Sequence, residues 1–126
     1  MIIHVDTSAL VDALTGPRRS LDALIGLVDE GHRLMVSTIV LYEWWRGPRT
    51  RAELGAQQEL FPADAAVPFG AEQAEAAARL YRTVPKARGR EVDLAIAACA
   101  LTSGAGLWTL NPADFRDVPG LRLVGG

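Results

Sequence analysis

The sequence predicts an α/β domain, three layers deep, with helices on both faces of a central, mostly parallel sheet. Short β-rich runs alternate with longer stretches of helical periodicity. No Asn-Gly pair marks a tight hairpin, so successive strands should be joined by right-handed crossovers and run parallel. Aromatic residues make up only 6% of the chain while Ala, Leu and Val abound, a composition that suits helices packed on a sheet better than a β sandwich. With 126 residues, 49% of them hydrophobic, the chain suffices for one core, and residues 1–126 are read as a single domain.

The elements follow in order. Ile2 to Val5 is β-rich and ends abruptly at Asp6-Thr7-Ser8, after which Ala9, Leu10, Ala13 and Leu14 recur at helical spacing. Gly16-Pro17 stops that helix, and Leu21, Leu24, Ile25 and Val28 give the apolar stripe of a second, closed by Gly31. Leu34 to Val36 reads as a strand. Ser37 or Thr38 can cap the next helix, which carries Leu41, Glu43, Trp44 and Trp45 before Gly47-Pro48. Arg51 to Leu60 is helical and Pro62 breaks it. Ala65 to Val67, between two prolines, is read as a short strand. Ala74, Ala77, Ala78 and Tyr81 mark a helix with a small-residue stripe over Ala71 to Tyr81. A polar loop, Val84 to Arg90, leads to a helix over Val92 to Thr102 that Gly104 ends. Leu107 to Leu110 is strand-like, Asn111-Pro112 opens a short turn or helix, and Leu121 to Val124 makes a last strand.

A net charge of −2 excludes binding to a polyanion by bulk attraction. Positive charge is local: Arg46, Arg49 and Arg51 form one cluster, and Arg79, Arg82, Lys86, Arg88 and Arg90 another. Of these, Arg46, Arg49, Lys86, Arg88 and Arg90 are the candidates for phosphate contact, against the plainer reading of solvated helix faces. The single cysteine, Cys99, sits in an apolar run as a small buried hydrophobe, and internal disulfides are excluded. His4 and Asp6 interrupt the first apolar run, no basic leader precedes it, and no apolar stretch reaches the roughly 20 residues of a bilayer span. A soluble cytoplasmic protein is therefore expected.

Four acids stand where strands end and helices begin. Asp6 follows the first strand, at the carboxyl end where open parallel sheets bind ligands, although an Asp there also serves as an ordinary helix cap. Glu43 lies in a helix apolar on nearly all sides, where a carboxylate needs a cation, a donor or water; Arg46 and Arg49 are the mundane partners. Asp93 tops the face carrying Ile96, Ala97 and Ala100, in a first turn whose dipole favours an acid. Asp114 closes Asn111-Pro112-Ala113-Asp114, a sequence that also fits a capping box. Gathered on one sheet edge, such carboxylates cannot all stay ionised unless a cation neutralises them, and all-oxygen ligands suit Mg²⁺ or Mn²⁺. Zinc does not fit, because His4 and His32 lack ligand spacing.

Val5-Asp6-Thr7-Ser8-Ala9-Leu10, Glu43-Trp44-Trp45-Arg46-Gly47, Val92-Asp93-Leu94-Ala95-Ile96-Ala97-Ala98 and Thr109-Leu110-Asn111-Pro112-Ala113-Asp114-Phe115 together resemble the PIN-domain family, and within it the VapC-type toxins, nearly end to end in order and spacing. The resemblance implies a PIN-like α/β/α fold, a Mg²⁺- or Mn²⁺-dependent endoribonuclease, homodimerisation, and inhibition by a cognate antitoxin. Carried over by motif, the acidic residues are Asp6, Glu43, Asp93 and Asp114, with Thr7, Ser8, Thr109 and Asn111 as supporting polar positions. Asp6 and Asp93 are the expected direct metal ligands; Glu43 and Asp114 ligate directly or through water. Activation of water by the ion would leave 5′-phosphate and 3′-OH ends on the cleaved RNA. The chain departs from the pattern in Trp44-Trp45, which replaces smaller residues, and in Glu91, an extra acid beside Asp93.

Rival functions fit less well. A phosphoacceptor receiver domain needs a lysine after a late strand, but the only lysine is Lys86, in a loop. A haloacid-dehalogenase phosphatase needs a second aspartate where Ser8 stands, and a dinucleotide-binding fold needs a Gly-rich turn after the first strand. The alternative kept is a catalytically silent RNA-binding or interaction module with the same fold. Trp44 and Trp45 face different sides of their helix, so one is expected in the core and the other free to meet a partner.

Overall fold

The computed structural model describes residues 1–124; Gly125 and Gly126, the last positions of the expected domain, lie outside the described residues. Four strands, β1 (Ile2–Val5), β2 (Arg33–Met35), β3 (Gly106–Trp108) and β4 (Leu123–Val124), form one sheet in the order β2-β1-β3-β4, and every pairing is parallel. The helices are α1 (Thr7–Leu14), α2 (Leu21–Asp29), α3 (Thr38–Arg46), α4 (Arg51–Leu60), α5 (Ala71–Thr83) and α6 (Glu91–Thr102). From β1 the chain leaves toward β2, and from β3 it leaves in the opposite direction toward β4. The gap between β1 and β3 is thus the switch point of the sheet, the place beyond the strand ends where open parallel sheets have their ligand crevice.

The central pair is fixed by burial. Ile3, His4, Val5, Leu107 and Trp108 are all buried, and Val5 stands in register with Trp108. Gly106 admits the last strand at close range, since a Cβ there would lie 2.7 Å from Val124 Cγ2. Helix α6 is buried from Leu94 through Ala100, including Cys99, and packs between β3, α3 and α5; its run of alanines allows that close approach. Ser37 caps α3 by accepting from the Val40 amide, and Thr50 makes a reciprocal capping box with Glu53 on α4.

The expected segment Ala65 to Val67 folds differently. Pro62 starts a single 3₁₀ turn, Ala63–Ala65, and only Val67 pairs, by one parallel bridge to Ser37 beyond the end of β2. Strand β1 spans Ile2 to Val5 as expected and β2 is shifted by one residue, while β3 and β4 are shorter than their apolar runs, because Leu110 and Leu121 fall outside the ladder. Trp44 is fully buried with the Arg49 guanidinium 4.3 Å from its ring, whereas Trp45 is 50% exposed and donates to Gln57. No described helix is long and apolar enough to cross a membrane.

His4 is held neutral by this core. Its ring is buried beside the Ser103 hydroxyl at 3.2 Å, and desolvation pushes its pKa down to about 4. An unfolded chain would protonate it near the ordinary value of about 6.5. Between these limits the unfolded state binds more protons, so the His4 contribution is intact above pH 6.5 and is lost as pH falls toward 4, with a ceiling of about 3 kcal/mol. Urea unfolding of His4→Gln across that range should show a flatter pH dependence than wild type; parallel curves would contradict a buried neutral imidazole.

Candidate metal centre

Asp6 sits where β1 gives way to α1, and its amide extends the β1–β3 ladder by donating to the Trp108 carbonyl at 2.9 Å. It occupies the N-cap position of α1 with extended backbone, yet its side chain makes no capping bond. The carboxylate turns instead into the crevice. Its Oδ2 accepts from Thr109 Oγ1 at 2.6 Å and from Ser8 Oγ at 3.0 Å, and the residue is only 5% exposed. Both hydroxyl protons are spent on Asp6, so the 3.3 Å approach of Ser8 to Thr109 is a contact rather than a further bond. The same two oxygens accept from the Leu110 and Asn111 amides, at 3.1 and 3.0 Å, which ties the segment after β3 to the start of α1.

Glu43 reaches the crevice from α3. Thr7 Oγ1 donates to its Oε1 at 2.6 Å, and Arg46 Nη2 lies 3.3 Å from its Oε2. The carboxylate is mostly buried while Arg46 remains more than half exposed, so the ion pair is partly screened and adds little stability. Asp93 enters from the first turn of α6 and is half-buried. Burial pushes its pKa up to about 6, and the charges of Asp6, Asp114 and Glu43 push the same way, against Arg90. Asp114 ends the 3₁₀ turn Pro112–Asp114 and is exposed; Asn111 makes no side-chain cap on that turn, so the capping-box alternative is not realised. Glu91, the extra acid, is exposed and accepts from the Gly89 amide in its own loop.

Asp6, Glu43 and Asp114 therefore all lie within range of the Asp93 charge, on the switch-point side of the sheet. Thr7, Ser8 and Thr109 bond directly to two of them, while Asn111 contributes only its backbone amide, to Thr109. Among the described residues no three acidic, imidazole or thiol groups converge as a ready ligand cage. Asp6 and Glu43 are each satisfied by hydroxyl donors, Glu43 also by Arg46, while the Asp93 carboxylate has no donor among the described residues. Their donor chemistry is all oxygen, which fits a hard divalent ion.

The basic residues divide. Arg49 stacks on Trp44 and donates to the Trp44 and Pro48 carbonyls, and Arg46 pairs with Glu43, so both are engaged within the chain. Arg90 corrects the expectation of a free phosphate contact most clearly. Its two terminal nitrogens donate to Asp117 at 2.9 and 2.6 Å and to the Pro85 and Asp114 carbonyls at 3.0 and 2.9 Å. Lys86 and Arg88 are exposed. Asp117 was not among the predicted residues, and no local pattern signals it: its partner lies 27 positions earlier.

Comparison with known proteins agrees with this architecture. Residues 3–121 match the PIN domain. No curated protein matches the sequence. Among solved structures, a chain of VapBC2 from Rickettsia felis, bound to a DNA fragment from its promoter, superposes with a TM-score of 0.75 at 21% identity, covering 98% of each chain. A toxin-antitoxin complex from Klebsiella pneumoniae gives 0.73 at 24% identity, over 98% of this chain and 96% of that one. FitAcB from Neisseria gonorrhoeae gives 0.72 at 22% identity, over 99% and 97%.

The Asp93 shift has a thermodynamic consequence. With a folded-state pKa of about 6 against 3.8 without the fold, the carboxyl favours folding below pH 3.8 and that contribution is lost as pH rises through 6. At neutral pH the ionised group is a net cost. Asp93→Asn should raise stability at pH 7 in chelator-treated buffer by roughly 1 kcal/mol after allowance for solvent screening. A variant less stable than wild type in denaturant titrations would show that the repulsion is not there.

Proposed function

The chain belongs to the PIN domain family, and from that premise we propose that it is a Mg²⁺- or Mn²⁺-dependent endoribonuclease acting as a VapC-type toxin, kept inactive by a cognate antitoxin. The observation that supports the activity is that Asp6, Glu43 and Asp114 all act on the charge of Asp93 on the switch-point side of the sheet, with hydroxyls already orienting Asp6 and Glu43. Support for the partner comes from the solved relatives, which are toxin-antitoxin complexes. Two copies of the chain would form a homodimer, and half-exposed Trp45 is a candidate contact for a partner.

Asp6 and Asp93 are the proposed direct ligands, with Glu43 and Asp114 ligating directly or through water. When bound, the ion supplies positive charge to the phosphate and acidity to water. The residues of the chain do the rest. Thr109 and Ser8 fix the orientation of Asp6, and Thr7 fixes that of Glu43. Asp93, whose pKa burial pushes up to about 6, is an acid whose ionised form a bound cation would favour. Exposed Lys86 and Arg88 are the proposed contacts to flanking phosphates, with Arg46 in reach from α3.

Purified protein in Mn²⁺ buffer should cleave RNA to products with 5′-phosphate and 3′-OH ends. Asp6→Asn and Asp93→Asn should each lose at least about 100-fold in rate, and chelation should abolish cleavage. Wild-type rates in both variants would remove the basis for the assignment. Induced expression in a bacterial host should arrest growth, and the Asp6→Asn chain should not; equal arrest by both would separate toxicity from the acidic site.

A further inference from the structure

Of the four acids, Asp114 is the least secured by the fold around its own position. It lies exposed at the end of a three-residue turn, whereas Asp6, Glu43 and Asp93 stand on the head of a central strand or on buried helices. The turn is held at its start by the Asn111 amide on Thr109 and behind it by buried Phe115. At Asp114 itself the one long-range tether is the Arg90 guanidinium.

That guanidinium is a four-bonded junction. Nη1 donates to Asp117 Oδ2 and to the Pro85 carbonyl, Nη2 donates to Asp117 Oδ1 and to the carbonyl of Asp114, and only the Nε proton is left over. Arg90 is also the N-cap residue of α6, three positions before Asp93. A single planar group thus joins the loop before α6, the first turn of α6, and the segment Asp114 to Asp117. Its fork on Asp117 has the bidentate geometry that arginine supports and lysine cannot reproduce.

We infer that Arg90 and Asp117 form a clamp that positions Asp114 against Asp93, so that Arg90 is a positioning residue of the acidic centre and not a contact to RNA phosphate. The inference rests on the metal-dependent reading above and concerns which groups outside the ligand set determine ion affinity. Residues that orient metal ligands typically govern affinity by roughly 10- to 100-fold.

The test is Mn²⁺ binding to the purified full chain by titration calorimetry, with no RNA present. Arg90→Lys keeps the charge but removes the fork, and Asp117→Asn removes one of the fork's two acceptor oxygens and its charge, at a partly exposed position, without opening the core. Each should weaken Mn²⁺ binding by about 10-fold while retaining the wild-type circular dichroism spectrum. In an Asp114→Asn background, Arg90→Lys should cause no further loss. The salt dependence of RNA binding by an Asp6→Asn chain should be unchanged by Arg90→Gln, which removes the charge that Arg90→Lys keeps.

Undiminished Mn²⁺ binding by both variants overturns the clamp, as do fully additive losses in the Asp114→Asn background, which mark general loosening. A salt slope smaller by about one with normal Mn²⁺ affinity overturns it in favour of a phosphate contact. Should Arg90→Lys fail to fold, Asp117→Asn alone and combined with Asp114→Asn decides by the same criteria. Absence of Mn²⁺ binding by the wild-type chain is a different failure: it overturns the metal-dependent reading first, and the clamp's role with it.

Discussion

Concentrating negative charge at the head of two central parallel strands is the constraint to which the rest of this fold answers. Two carboxylates a few ångströms apart repel strongly wherever water is thin. The chain meets this with short hydroxyl donors. Thr109 and Ser8 both give their protons to Asp6, and Thr7 gives its proton to Glu43, which also has Arg46 beside it. Asp93 receives no comparable donor among the described residues, and its carboxyl is pushed up to about 6, first by burial and then by the charges of Asp6, Asp114 and Glu43.

The supports of the acids differ in rigidity, and the difference follows from burial. Asp93 projects from a helix buried over seven successive residues, Leu94 to Ala100, and a helix apolar on all sides has no freedom to roll. Glu43 is anchored by its neighbour Trp44, which is fully enclosed, and by the Ser37 cap one turn earlier. Asp6 inherits the register of the β1–β3 ladder. Asp114 alone stands on irregular backbone, and there the chain uses a charged junction in place of packing. An exposed pair would add little stability, but a fork that also holds two backbone carbonyls restricts the orientation of the turn.

Much of this could be read from local patterns. The strand-to-helix transition at Asp6, the apolar run above Asp93 and the helix carrying Glu43 each depend on residues within a few positions, so periodicity and caps found them. The two tryptophans likewise divide between core and surface as their helical offset requires. Three things escaped. Ala65 to Val67 has the composition of a strand, but prolines on both sides leave room for one bridge and a 3₁₀ turn. The hydroxyls at Ser8 and Thr109 were expected as supports, yet their convergence on one oxygen of Asp6 spans 103 residues and is written in sheet register alone. Arg90 looked like part of a basic cluster because its acceptors are two carbonyls and an acid far along the chain, none visible as a motif.

How the arginines are spent bears on how an acidic protein can act on a polyanion. The chain carries a net charge of −2, so long-range attraction to RNA is weak from the outset. Arg46, Arg49 and Arg90 are then partly neutralised or turned inward by Glu43, Trp44 and Asp117. Exposed positive charge remains on Arg46, on Arg116 and on the loop before α6, where Lys86 and Gly89 both take left-handed backbone, at φ 52° and 88°, and so give the loop a defined shape. Within the ribonuclease reading, a few cations on a shaped loop beside a strongly negative crevice bind a phosphate backbone only when its geometry lets those cations and a crevice-bound divalent ion engage together. Selectivity then arises from the conformation of the RNA, because the protein lacks the surplus charge that would bind any strand indiscriminately.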